Sequence, residues 1–507
     1  MPVISSPTRQ AQDREVASGT RSSRILVWIS LALITILAAY LQLHNISAKS
    51  FWLDEGSSIT MARLDWFNFL RILWRREMNM VLYYLLLRGW LHLGDSVAWI
   101  RGLSVIFATA AVPGIFLLGR KMQGIGLGLI SALLLSVNAF QVRYAQEARS
   151  YSLLVLLVIA STYFFISAID SNSPRDWKWY IVASSLAVYS QFFAVLVVVA
   201  HWIALWVLFR TKSAELAPDI RKQFRRAAKL IALWTLPIWL FIVTTGAGPI
   251  AWIRRPGVND IVGLLKKLSG NADTALFVIY SACVLLALVQ GALSPRKQLP
   301  GSRSYIVLAC WFIVPLLIVL VASVIRPVFA PRYMMICLPA WIMLAAAGAN
   351  SIRPRFLVPV ALALFVWLGI IGVRSYYRAD FDIGRNDVRS ATIYILEHAE
   401  PSDGVVFYTL SARFPYDYYA AHSASQNKPD ILWPGNNSGV AWRDFMGVPS
   451  AARVPQFASG HERIWLVTTP MPPNDPKFTA FEAALNQSYR LTVTQDFPFI
   501  RVMLFER

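Results

Sequence analysis

Three short stretches of this chain carry the residue types that proton transfer and phosphate binding require. The first is Phe51-Trp52-Leu53-Asp54-Glu55-Gly56, two adjacent carboxylates beside two aromatic rings. A carboxylate placed so can be the general base for a hydroxyl, with its neighbour orienting base or substrate. Asp54 can equally cap the helix that follows. The second is Tyr144-Ala145-Gln146-Glu147-Ala148-Arg149-Ser150-Tyr151. Ionisable residues at a membrane boundary mark function when they face a bundle; as an exposed local ion pair they are worth at most ~1 kcal/mol. The third is Arg326-Pro327-Val328-Phe329-Ala330-Pro331-Arg332-Tyr333. The Arg332 guanidinium matches a phosphate, or it snorkels to the interface. Arg254 and Arg255, after Trp252, repeat that pattern more weakly.

Other chemistries find no footing. There is no Ser/His/Asp set, no Walker loop and no GxGxxG in a strand context. His44, His92, His201, His398, His422 and His461 show no metal-ligand spacing, and His201 lies inside an apolar run as a packed residue. Cys283, Cys310 and Cys337 also lie in apolar runs without a CxxC partner, so they read as small hydrophobes rather than zinc ligands or disulfides.

The elements that must position these stretches are membrane helices. Of 507 residues, 56% are apolar and 15% charged, against roughly 25% charged in soluble chains. That excludes disorder, coiled coil, collagen and a secreted disulfide scaffold. The net charge of +20 would suit nucleic acid, but most basic residues punctuate apolar runs, as membrane topology requires; no nucleic-acid partner is expected. Eleven runs approach the roughly 20 residues of a span: 25–44, 97–119, 123–142, 151–169, 177–190, 192–209, 230–246, 274–293, 304–325, 333–350 and 355–373. The first is too long for a signal-peptide core and no cleavage site follows, so it reads as a retained helix after a polar cytoplasmic arm, 1–24.

With the N-terminus inside, cytoplasmic segments hold 20 Lys and Arg, and outside segments before residue 374 hold 14, six of them in the loop 45–96. An odd number of spans then places 374–507 outside. Within the loop, Met61, Leu64, Phe67, Leu70 and Trp74, with Arg63, Arg71, Arg75 and Arg76 between them, predict an amphipathic helix on the membrane surface. Residues 81–93, interrupted by Arg88, predict a second juxtamembrane helix. In the tail, Asn386-Asp387 caps a helix to about Ala399, strands fall at Val405–Thr409, Ile464–Thr468 and Arg501–Phe505, and helices near 478–487 and 414–421. A small α/β domain follows from these.

The chain resembles the polyprenyl-phosphate-sugar-dependent glycosyltransferases of the GT-C fold, above all glycosyltransferase family 39 in the broad sense: protein O-mannosyltransferases, the lipid A aminoarabinose transferase and bacterial relatives. The resemblance covers about residues 25–350. It rests on FWLDEGSS at 51–58, NMVLYYLLLRGW at 79–90, RGLSVIFATAAVPGIFLLGRKM at 101–122, YAQEARSY at 144–151 and APRYMMICLPAW at 330–341. It implies Asp54 as the carboxylate engaging the acceptor hydroxyl, Glu55 and Glu147 as its partners, and Arg149, Arg332 and Tyr333 as donor-phosphate contacts. Tyr83, Tyr84, Gln146 and Asn79 become substrate contacts. A divalent cation, if one is used, would fall to Glu55 and Glu147; a metal requirement stays open. Where many relatives have His-Pro-Pro, this chain has Met78-Asn79-Met80-Val81, so that histidine's role is absent or falls to Asn79. The tail lacks β-trefoil-type repeats, so it gives protein O-mannosylation no support.

The expected protein is an α-helical polytopic GT-C glycosyltransferase, with a bundle at 25–373 that includes the loop 45–96, and an extracytoplasmic domain at 374–507. Its donor would be a polyprenyl-phosphate-linked sugar and its acceptor a lipid, glycan or protein. It would sit in the cell inner (plasma) membrane with its active site on the outer face. A transporter or flippase of lipid-linked or anionic solutes, or a non-catalytic envelope-assembly protein, is the alternative. Transporters favour internal repeats and midplane charges; here the charged clusters lie at one mouth.

Overall fold

The computed structural model describes residues 7–211, 216–245, 253–270, 274–293, 302–378, 385–408, 410–435, 448–468 and 475–507. The chain opens with α1 (Pro7–Leu43), α2 (Leu53–Arg63), α3 (Trp66–Ile72), α4 (Val81–Trp90), α5 (Val97–Gln123), α6 (Ile125–Ser136) and α7 (Ala139–Ala145). It continues through α8 (Tyr151–Ser171), α9 (Pro174–Ser190), α10 (Val195–Thr211), α11 (Ile220–Trp234), α12 (Leu236–Thr245) and α13 (Val258–Leu268). Then come α14 (Thr274–Leu293), α15 (Ser302–Ile325), α16 (Leu338–Ser351) and α17 (Leu357–Arg378). The tail holds α18 (Val388–His398), β1 (Gly404–Phe407), α19 (Leu410–Ala421), β2 (Asp430–Trp433), β3 (Arg463–Thr468), α20 (Pro476–Leu485), β4 (Arg490–Phe497) and β5 (Ile500–Glu506).

Among the described residues, eight helices are long and apolar enough to cross a membrane, and two bent pairs, α6–α7 at 61° and α11–α12 at 55°, raise the number to as many as ten. The difference from eleven lies at 177–190. That run is α9, a helix of 17 residues with Arg175, Asp176 and Lys178 near its start. It packs on α8: the hydroxyls of Ser161 and Ser184 share a hydrogen bond at 2.8 Å. Buried His201 of α10 joins them, its ring nitrogens 3.2 Å from Thr162 Oγ1 and 3.2 Å from Tyr180 Oη. Its imidazole also stacks on Phe165 at 4.3 Å, which makes it a packed residue with both polar atoms partnered. The three cysteines are free thiols.

Contacts divide the chain into two compact units: Met1–His44, Arg75–Tyr83 and Arg101–Tyr376; and Asn45–Trp74, Tyr84–Ile100 and Tyr377–Arg507. The loop 45–96, expected with the bundle, therefore belongs largely with the tail. The first unit centres on Tyr333–Ser351, nearly all of whose residues are buried, whereas most residues of Arg24–Leu43 are exposed or half-buried. The helices α6, α14 and α15 pack on α16, whose run Ala345-Ala346-Ala347-Gly348-Ala349 is small enough for close backbone approach. A Cβ at Gly348 would lie 1.9 Å from the Cys283 carbonyl oxygen of α14.

The second unit is built on a five-stranded sheet in the order β2-β1-β3-β5-β4. β1 pairs in parallel with β2 and β3, and β5 pairs antiparallel with β3 and β4. Both faces are covered. Val405, Trp465 and Val502 pack under α18 and α19, while Val406, Leu466 and Met503 pack with Phe481 and Leu485 of α20. The predicted helices and three strands are present, with Thr409, the last residue of the first predicted strand, lying outside the described residues. Asp387 caps α18 by accepting the Ser390 N–H at 3.2 Å. The strands β2 and β4 were not predicted.

The loop differs from expectation. In place of one amphipathic helix, α2 stops at Arg63, Leu64 is extended, and Asp65 starts α3 by accepting the Asn68 N–H at 3.0 Å. That hydrogen bond holds the Asp65 carboxyl below the usual range. A capping aspartate outcompetes helical periodicity at this point. The apolar set is thereby split. Met61 is buried, while Trp66, Phe67, Leu70 and Trp74 are exposed, a face suited to a bilayer interface. The second juxtamembrane helix is α4, ending at Trp90. Arg88 donates to the carbonyls of Ala62 and Leu64 and lies over Trp66 at 4.2 Å.

Gly348→Leu should abolish the folded protein, because the α14 backbone has nowhere to move. Monodisperse elution of that variant in detergent at wild-type yield would contradict the packing.

Candidate active site

The two carboxylates of the first stretch lie in the second unit. The N-cap of α2 is Trp52, with no side-chain cap, and Asp54 and Glu55 occupy the first turn. Asp54 is therefore not the capping residue. The helix dipole favours negative charge at both positions. Glu55 is buried and Asp54 half-buried, and Ser58 Oγ donates to the Asp54 carbonyl at 2.8 Å. Just before the turn, the Phe51 N–H donates to Tyr419 Oη at 2.8 Å. The Phe51 ring meets Tyr418 edge-on at 4.9 Å and stacks on Tyr419 at 5.9 Å. Just after it, a Cβ at Gly56 would come within 2.8 Å of Pro415 Cδ and 2.9 Å of Phe414 Cβ. Glycine is required there because α2 lies directly on α19. Tyr84 is buried in the same unit.

The far end of α2 is held by charge. Arg63 pairs with Asp95, His422 Nε2 lies 2.7 Å from Asp95 Oδ2, and Tyr418 Oη donates to the Asp95 carbonyl at 2.7 Å. Within α19, Arg413 pairs with Asp417 at 2.7 Å. Burial nevertheless pushes the Asp417 carboxyl up to about 6, against the pull of Arg413. A raised carboxyl favours folding while protonated. Its contribution is complete below about 3.8 and lost as pH rises through about 6. With 38% of the side chain exposed, solvent screening trims the effect.

The second and third stretches lie in the first unit. Asn138 caps α7 by accepting the Gln141 N–H at 3.0 Å, and its amide donates to the Leu268 carbonyl at 2.9 Å. The helix ends at Gln146, whose side-chain amide donates to the carbonyls of Gln42 at 3.0 Å and His44 at 2.7 Å. Gln146, expected to touch substrate, thus ties this turn to the end of α1. Glu147 is buried, with Arg143 Nε at 3.7 Å. Arg149 is buried, and its carbonyl accepts from Ser104 Oγ at 3.2 Å, which in turn lies 2.9 Å from Tyr83 Oη. Tyr83 and the Arg149 turn are therefore linked through Ser104, a residue with no local signal in the sequence. Tyr151 is buried edge-on to Tyr144 at 4.7 Å.

Arg332 precedes the 3-10 turn Tyr333–Cys337. That turn packs on α8, and Tyr333 stacks on Phe193 at 5.0 Å. Asn79 lies on the turn Met78–Met80, against α9 and α12, with its Oδ1 buried and accepting no hydrogen bond among the described residues. Gln141 is buried, and neither its amide nitrogen nor its oxygen has a partner among them. Sequence reasoning passed over Gln141. Buried polar groups of this kind cost about 1–3 kcal/mol each if left unmet, so both residues are suited to hydroxyl-rich ligands. Among the described residues, no three His, Cys, Asp or Glu side chains form a metal-ligating group.

The sequence profile of the family described as dolichyl-phosphate-mannose-protein mannosyltransferase matches residues 80–241. No curated protein matches the chain. Among solved structures, ArnT from Cupriavidus metallidurans bound to undecaprenyl phosphate superposes with a TM-score of 0.65 at 11% identity, covering 94% of this chain and 98% of that one. The Archaeoglobus fulgidus oligosaccharyltransferase in complex with zinc and sulfate gives 0.52 at 11% identity, covering 87% of this chain and 68% of that one. The mycobacterial arabinofuranosyltransferase AftD gives 0.50 at 14% identity, covering 95% of this chain and 41% of that one. The chain has the fold of these membrane glycosyltransferases, the GT-C fold.

Gly56→Ala should destabilise the second unit by about 1–3 kcal/mol through overpacking, read as an earlier unfolding transition of the full chain. An unchanged transition would mean that α2 and α19 do not meet so closely. Between pH 7 and pH 5 the same transition should rise, and Asp417→Asn should flatten that slope.

Proposed function

We propose that this chain is a membrane glycosyltransferase that moves one sugar from a polyprenyl-phosphate donor to an acceptor hydroxyl at the outer face of a bacterial inner membrane. With α9 (Pro174–Ser190) crossing as a short eleventh span and the N-terminus in the cytoplasm, the tail lies outside. The observation that carries this reading is the near-complete overlap with a transferase crystallised with undecaprenyl phosphate. The family profile over 80–241 and the carboxylate turn of α2 add to it.

The reaction is a single displacement with inversion. Asp54 takes the proton of the acceptor hydroxyl as its oxygen bonds to the anomeric carbon. The bond from that carbon to the phosphate oxygen breaks, and the electron pair leaves with the lipid phosphate. Arg149 and Arg332, beside Tyr333, neutralise the charge that grows on the departing phosphate. Glu55 and Glu147 orient acceptor or sugar. Asn79, Tyr83 and Tyr84 contact the sugar or acceptor, and Gln146 serves by holding the turn that carries Glu147 and Arg149.

Loss of a general base removes ~10²–10⁴-fold of rate, so Asp54→Asn should be almost inactive and still folded. The test is release of label from a panel of radiolabelled polyprenyl-phosphate sugars by protein in lipid nanodiscs. Equal release by wild type and Asp54→Asn would remove Asp54 from the reaction. Donor binding without transfer across the whole panel would remove the reaction itself.

A further inference from the structure

The carboxylate turn is held by the C-terminal domain on both sides. Ahead of it, the Arg389 guanidinium of α18 donates to the carbonyls of Ser47 at 2.8 Å, Lys49 at 3.3 Å and Ala48 at 3.5 Å. The Arg389 N–H donates to Ser50 Oγ at 3.1 Å. Arg389 also lies 5.4 Å from the Tyr419 ring, whose hydroxyl receives the Phe51 N–H at 2.8 Å. Behind the turn, Gly56 rests on Pro415. Residues 47–49 and 51 are thus fixed through their main chain and Ser50 through its hydroxyl, and the fixed segment ends three residues before Asp54. Among the loop's side chains, these hydrogen bonds use Ser50 alone. The anchoring sets where the α2 helix starts, and so the direction in which the side chains of its first turn emerge.

We infer that the C-terminal domain is the positioning element for the Asp54–Glu55 turn, with Arg389 and Tyr419 as positioning residues. The inference rests on the role proposed above for Asp54. It assigns the tail a task in the chemical step rather than in donor capture. Misplacing a reacting group by about 1 Å can cost ~10²-fold in rate, and donor affinity need not change.

The test compares full-length wild type, Arg389→Ala, Arg389→Lys, Tyr419→Phe and Asp54→Asn in nanodiscs, with a radiolabelled polyprenyl-phosphate hexose as probe. Amide exchange over residues 47–56 is followed on the same samples. Arg389→Ala should speed exchange over 47–56 and lower kcat about 10²-fold, with donor KM within about twofold. Tyr419→Phe should lower kcat about 10-fold, with exchange raised at Phe51. Arg389→Lys, which still donates to carbonyls, should recover most of the loss. Unchanged exchange in Arg389→Ala, faster exchange with unchanged kcat, or a loss confined to KM would each overturn the inference. If Arg389→Ala does not fold, Tyr419→Phe, which removes one oxygen, decides by the same criteria. Full turnover by Asp54→Asn would sink the base assignment instead, and the exchange data would still report on the anchor.

Discussion

Inside a bilayer every backbone N–H and C=O must find its partner within the protein, and at the two bends of the first unit side chains take up backbone groups. At the bend between α6 and α7, Asn138 supplies a side-chain acceptor to the Gln141 N–H and a donor to the Leu268 carbonyl. At the bend between α11 and α12, Thr235 Oγ1 donates to the Ile231 carbonyl and accepts from Trp239 Nε1. These breaks are therefore built features. The first of them redirects the chain into α7, and α7 delivers Gln146, Glu147 and Arg149 in one turn. The hydrogen-bond rule that shapes the bundle also places its most polar segment.

A different logic governs the second unit. Its sheet is covered on both faces, and its helices α18 and α19 engage the loop that carries Asp54 and Glu55. The contacts include hydrogen bonds to the main chain and to Ser50 Oγ, the Phe51 ring against Tyr418 and Tyr419, one glycine-to-proline approach, and an Arg63–Asp95–His422 cluster at the far end of α2. From sequence this loop, with five carboxylates and five arginines, reads as two juxtamembrane helices. Here it is a structured part of a domain more than three hundred residues away in sequence.

The spans were legible because hydrocarbon thickness sets a length that apolar runs must reach, and each of the eleven runs is helical over most of its described residues. The exception in count, α9, is short and carries charge at its start; only its packing on α8 places it in the bundle. The break at Leu64-Asp65 was hidden because the apolar spacing of Met61, Leu64, Phe67 and Leu70 runs straight through it, while a single capping aspartate decides the local geometry. β2 is only four residues long. β4 is a mostly exposed edge strand whose pattern RLTVTQDF offers little apolar contrast. In the site, the charged and aromatic residues announced themselves by type. The residues that hold them, Ser104, Asp95, Arg389 and Tyr419, act through partners 21 to 368 positions distant, and no local pattern encodes such distances.

The separation between Phe51 and Tyr419 is 368 residues, and it has a bearing on how the protein is made. At roughly 5–20 residues per second, the ribosome reaches Tyr419 about 20–70 s after Phe51 has been polymerised. Throughout that interval the loop exists without its hydrogen-bond partners. The carboxylate turn is synthesised long before the residues that seat it. A chain that stalls before α18 would carry both carboxylates and lack the anchors that fix them. Completion of translation thus becomes a checkpoint on when the loop acquires its final shape.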